Sequence, residues 1–296
     1  MRILSFYNIP IIHKNTTKDH NCYKNFLEKD IFVKSPNLIS FGSGKFSSKF
    51  SELKKDLTEY ITNSPEISKE KLQEIIRRYS PTTSVVFFEN DESESELLGY
   101  TNLPLEVTCD EKQNINVKAD SQTLFLATPQ NLNKESRKAF LDIVLHECTH
   151  ILQQESDDRI SSVEFYNSYL KSSKDIQASV DTIEFLDPAF SQIREVVGYI
   201  ILSARGENVM DFNESCEKTQ EQNARELLLR IMQTIIEEAK DKKFVLEYIV
   251  FEAKREFEAY SNMSHCFDLN YPNKAAITLS AYNEIIDSAT ELINSM

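Results

Sequence analysis

Glycine is nearly missing from this chain, at 5 of 296 residues, where average usage would give roughly 20. Tight turns, phosphate-cradling loops and strand-dense sandwiches all draw on glycine for backbone positions with φ > 0. A chain so poor in it is predicted to be built from long helices, and a Gly-rich nucleotide fold or a turn-rich sandwich is disfavoured. Apolar residues make up 41%, which excludes a disordered chain. The length suffices to bury a real core in one large domain or two ordinary ones. The net charge of −14 repels phosphate backbones, so a general nucleic-acid role is disfavoured.

Five cysteines (Cys22, Cys109, Cys148, Cys216 and Cys266) are scattered without CxxC spacing. They read as reduced thiols, not as a disulfide framework. The opening MRILSFYNIPII is interrupted by Asn8 and Pro10, and a polar stretch from His13 to His20 follows, unlike a secretory signal. The longest apolar run, Val196 to Leu202, is far short of the ~20 residues of a membrane span. The expectation is a soluble protein, cytoplasmic in the producing cell.

Along the chain, Phe46, Phe50, Leu53, Leu57 and Ile61 form a helical stripe, and a shorter helix over 67–79 ends before Pro81. The middle changes character. Segments 84–88, 105–109, 114–118 and 123–127 are short and rich in β-branched or aromatic residues, and polar clusters separate them. From residue 133 the period is helical to the end, with helices expected near 133–155, 160–172, 188–205, 216–239, 242–264 and 273–294. Pro188 and Pro272 suit first helical turns, and Gly206 suits a C-cap. The fold class is therefore α+β: a helical lead-in over 1–82, a small mixed or antiparallel sheet within 84–127, then a predominantly helical remainder. Residues 83–296 form the main region, and the whole is compatible with one compact domain.

The segment Leu141–Glu155 stands apart because it contains His146-Glu147-Cys148-Thr149-His150. On a helix, residues i and i+4 share a face, so two imidazoles there can grip one Zn²⁺. Glu147, one residue along from His146, is rotated by about 100° around the axis and is suited to take a proton from water beside the ion. Leu141, Leu145, Cys148 and Leu152 make an apolar stripe on another side. Cys148 is accordingly assigned to the core, and Asp142 to an exposed helix face. The strand 123–127 is expected to border the cleft and pair with an extended substrate.

This pattern, HExxH on a helix that follows a mixed sheet, resembles the zincin metallopeptidases. The resemblance implies zinc held by His146 and His150, Glu147 as general base, and hydrolysis of peptide bonds. It covers this helix and one later segment. The string HECTHILQQ is similar to the HExxHxxQ run of several bacterial gluzincin-like families, whereas the metzincin pattern fails at Gln153 and Ser156. Gluzincin-like proteins take a third ligand from a Glu on a later helix, often in an ExxA setting. Glu256 and Glu221 both fit. Helical phase places Glu256 with Ile249, Ala253, Ala259, Tyr260 and Met263, facing inward, and places Glu258 with Lys254, Arg255, Ser261 and Asn262, facing water. Glu221 has an apolar line of its own in Ala224, Leu228, Ile231 and Ile235. Phase removes Glu258 and leaves the other two. The string REFEAY resembles the family's third-ligand segment more closely, which favours Glu256, with Glu221 and His265 as alternatives. Tyr260, one turn on, is a candidate donor to a developing oxyanion. His13 and His20 are assigned nothing.

The resemblance thus implies a zinc-dependent endopeptidase acting on a protein. The rivals are an inactive zincin-like binding or effector protein, and a metal-assisted hydrolase of another bond. An Asn- and Lys-rich, Trp-free composition suggests an AT-rich bacterial genome. With the acidic helical tail, it also suits a protein delivered into a host cell.

Overall fold

The computed structural model describes residues 3–4, 45–89, 99–109, 115–129, 133–172, 176–204, 219–263 and 274–296. Among them are six strands and eight helices. Strand β1 spans Ile3–Leu4, and helices α1 (Lys45–Asn63) and α2 (Lys69–Arg77) follow. Next come β2 (Ser84–Phe88), β3 (Gly99–Asn102), β4 (Leu105–Cys109), β5 (Ile115–Ala119) and β6 (Thr123–Ala127). The remaining helices are α3 (Lys134–Glu155), α4 (Ser162–Ser172), α5 (Ile176–Ala204), α6 (Gln220–Glu238), α7 (Lys242–Asn262) and α8 (Lys274–Ser295). The architecture is α+β, as the change of period along the chain indicates.

The strands divide into two sheets. A mixed sheet has the order β2-β6-β3, with β2 parallel and β3 antiparallel to the central β6. An antiparallel sheet has the order β1-β4-β5. Strand β3 has no counterpart in the sequence reading: its Gly-Tyr-Thr-Asn is half-buried throughout and shows no alternation. The expectation that β6 offers its edge to a substrate is overturned, because β6 is paired on both sides.

Helix ends follow local chemistry. The Asn133 side chain accepts from the amides of Glu135 and Ser136, both at 2.9 Å, and caps α3. Thr219 and Gln222 form a reciprocal box at the start of α6, and Asp241 caps α7. The expected helix start at Pro188 is corrected: α5 begins at Ile176 and runs through the proline. A mid-helix proline costs about 3 kcal/mol. Here Leu186, Phe190 and Ile193, all fully buried around it, each contribute about 1.5–3 kcal/mol of burial, so packing outweighs the lost backbone bond. Gly206 and Pro272 lie outside the described residues.

Two apolar cores result. One joins α1, α2 and the mixed sheet to α3, through residues such as Leu57, Ile76, Leu124, Leu126 and Leu145. The other fills the space among α4 to α8 and takes in Leu105 and Val117 of the second sheet. Helix α3 packs against α1, α7 and β3. Its whole length from Phe140 to Gln153 is therefore largely buried, and Leu141, Leu145, Cys148 and Leu152 are in the core as their spacing indicates. Among the described residues, no helix is long and apolar enough to cross a membrane.

Candidate metal centre

On α3, the one-turn spacing of His146 and His150 brings their Nε2 atoms to 3.2 Å. Helix α7 crosses the same face and adds Glu256, whose Oε2 is 3.5 Å from His146 Nε2 and 3.8 Å from His150 Nε2. Ala253 and Ala259, either side of Glu256 on α7, are fully buried. A tetrahedral ion with arms of about 2.0–2.1 Å needs donors roughly 3.3–3.4 Å apart. The three observed separations bracket that edge.

The donor set suits a cation on other grounds. His150 Nδ1 faces Gln153 Oε1 at 3.1 Å, so its Nε2 is turned to the shared point. His146 Nδ1 is buried and without a hydrogen-bond partner. One donor atom from each of His146, His150 and Glu256 gathers on one spot.

Charge enters from one side. Arg194 of α5 places Nε 3.7 Å from Glu256 Oε1, and Nη2 3.7 Å from Asp187. The Arg194 side chain is partly exposed, and its guanidinium lies over the Phe190 ring. Burial disfavours the ionised Glu256, but His150, His146 and Arg194 more than offset it and hold the carboxyl well below the usual carboxylate range. Burial pushes His150 down to about 3, against the pull of Glu256. Burial also opposes a charged His146, yet the carboxylates of Glu256 and Glu147 prevail and raise it.

Glu147 stands beside this cluster on the flank facing β3. Thr101 Oγ1 donates to Glu147 Oε2 at 2.9 Å and sits 3.3 Å from the Glu147 carbonyl oxygen. Burial raises the Glu147 pKa, against the charge of His146 and the Thr101 bond. The approach of β3 depends on Gly99: a Cβ there would lie 2.7 Å from Ile143 Cγ2 and 3.1 Å from Leu126 Cδ2.

The remaining candidates fall into place. Glu221 is bound to Arg225 at 3.0 Å near the start of α6 and is not part of the cluster of three donors. Tyr260 meets the His146 ring edge-on, with centroids 4.5 Å apart, and stacks on Tyr282. Cys148 is fully buried, and burial raises its thiol pKa, which suits core and not nucleophile. His13, His20 and His265 lie outside the described residues.

Two assignments need correction. Glu258 does not face water: it is buried and paired with Arg159 at 2.8 Å, because a cation from beyond the end of α3 neutralises it. Asp142 is also buried. Helix α1 covers that face of α3, and the Asp142 charge acts on Lys54. Sequence reasoning passed over Thr101, Arg194 and the role of Gln153. Only Gln153 left a trace, as the last fixed position of the HExxHxxQ run.

No family model, no curated protein and no solved structure matches this chain.

Proposed function

We propose that the protein is a zinc-dependent endopeptidase of zincin type, with His146, His150 and Glu256 as ligands. The observation that supports it best is the convergence of these three donors, from helices more than a hundred residues apart in sequence, beside a buried carboxylate. The ion, when bound, supplies the Lewis acidity that polarises a carbonyl and makes water a nucleophile near neutral pH.

The chain's own residues do the rest. Thr101 holds Glu147 Oε2, which leaves Oε1 to take a proton from the attacking water. The same carboxyl then returns that proton to the departing amine. Arg194 engages Glu256 Oε1, so that Oε2 is the oxygen turned to the imidazoles. Tyr260, whose ring touches that of His146, donates from its hydroxyl to the carbonyl oxygen as charge develops there. The substrate is a protein chain.

The test combines metal analysis of purified protein with cleavage of an unfolded protein, before and after chelation and in Glu147→Gln. Stoichiometric zinc, with cleavage abolished by both treatments, is expected. Equal cleavage in all samples would overturn the reading.

A further inference from the structure

Resting on that reading of the ligands, we infer that Gln153 is a positioning residue: it locks His150 in the tautomer and orientation that leave Nε2 free to bind a cation. The argument starts from its amide. A glutamine side chain has two donor hydrogens and two acceptor sites on oxygen, and here all four are used. Nε2 donates to the Arg255 carbonyl oxygen at 3.2 Å and to Glu258 Oε2 at 2.9 Å. Oε1 accepts from Arg255 Nε at 3.2 Å and faces His150 Nδ1 at 3.1 Å.

The sense of the amide is over-determined. A carbonyl and a carboxylate can only accept, and a guanidinium N–H can only donate. Turned by 180°, the amide would set oxygen against two acceptors and N–H against a donor. Its partners are anchored in turn. Arg159 bonds Glu258 at 2.8 Å, and Arg255 bonds Glu252 at 2.8 Å and Ser162 at 3.0 Å. Facing an oxygen that can only accept, His150 Nδ1 must carry the hydrogen. The lone pair is then on Nε2, aimed at Glu256 and His146. Without this contact, either nitrogen of His150 is free to hold the proton, and the ring can swing about its bond to Cβ. A partner on the far nitrogen of a ligating histidine is generally worth about 10- to 100-fold in metal affinity.

Two measurements test the inference. In metal-free protein, ¹⁵N NMR of the imidazoles reads the tautomer directly. His150 is expected as Nδ1–H in the wild type, and as a mixture in Gln153→Ala and in Gln153→Met, which fills the same space without an acceptor. Zinc affinity by chelator competition should fall about 10- to 100-fold in Gln153→Ala and in Gln153→Met alike. An Nε2–H tautomer in the wild type overturns the inference, and so does a Gln153→Ala affinity within twofold of it. Wild-type affinity in Gln153→Met would also overturn it, since filled space and not the acceptor would then be what matters. A wild-type protein that takes up no zinc sinks the metal reading instead, and the tautomer spectrum still decides the role of Gln153. The wild-type spectrum needs no variant to fold.

Discussion

Thr101 Oγ1 donates to Glu147 Oε2 across 2.9 Å, tying an edge strand to the carboxylate one residue after His146. Glu147 is buried, so its ionised form depends on the donors it keeps. Thr101→Val retains the shape and removes the hydroxyl. A hydrogen bond to a charged group is worth about 1.5–3 kcal/mol, so turnover is expected to fall roughly 10- to 100-fold. Zinc content and KM should hold. Steady-state kinetics on the purified variant check this, and unchanged kcat would show that Glu147 is oriented without Thr101.

Gly99 sets how closely β3 meets α3. A methyl group there would overlap Ile143 Cγ2 at 2.7 Å, and a β-branched neighbour has no low-energy way to retreat. Overpacking of this kind costs about 1–3 kcal/mol. We expect Gly99→Ala to unfold at lower urea by that amount and to share the kinetic defect of Thr101→Val. A variant as stable as wild type would mean that β3 is not held against the helix.

What the sequence made legible was local. His146 and His150 share a face because they are four residues apart on a helix, and Glu256 faces inward because Ala253 and Ala259 frame it. Burial of charge was not legible. Glu258 and Asp142 are charged and read as solvated, yet both are buried, Glu258 against Arg159 from another element. The bonds of Gln153 to Arg255 and Glu258 span more than a hundred residues, beyond any periodicity. Strand β3 lacks an alternating pattern because it is half-buried on both faces, and so Thr101 was invisible. Pro188 was read by propensity alone, which lost to the packing of Phe190 and Ile193.

The third ligand separates by substitution. Glu256→Gln replaces an anionic donor with a neutral one at the point shared by both imidazoles, and zinc affinity is expected to drop by roughly 100-fold or more, since hard carboxylate charge drives much of the binding. Glu221→Gln disturbs only the pair with Arg225 and should leave zinc affinity within about twofold. Chelator competition on both variants decides between them, and the reverse ranking would relocate the site to α6.

Tyr260 keeps its ring contacts with His146 and Tyr282 when changed to Phe, so stability should move by less than about 1 kcal/mol. Loss of one donor to a developing oxyanion costs about 10²–10³ in kcat. We expect at least a tenfold fall in kcat with KM nearly constant. A Tyr260→Phe enzyme with full kcat would reduce Tyr260 to a packing role.

Acid should loosen helix α1 through Asp158. Its carboxylate accepts from the Phe46 amide in the first turn of α1, at 3.3 Å to each oxygen, and from Ser156 Oγ at 2.5 Å. The Ser156 bond, the Phe46 amide and nearby Arg159 lower its pKa in the folded state. A depressed folded pKa contributes stability that is present above the unfolded value, about 3.9, and is lost as pH falls through the folded value. An anion at a helix N-terminus is worth about 0.3–1 kcal/mol, toward the lower end here because the side chain is partly exposed and screened. Asp158→Asn is therefore expected to be less stable than wild type by this amount at pH 7 and pH 5. The gap should shrink as pH falls below about 4 and close once pH is below the folded value, where both chains are neutral at this position. Urea titrations of the two proteins across that range check it. A gap independent of pH would mean that Asp158 acts by shape and hydrogen bonding alone, without its charge.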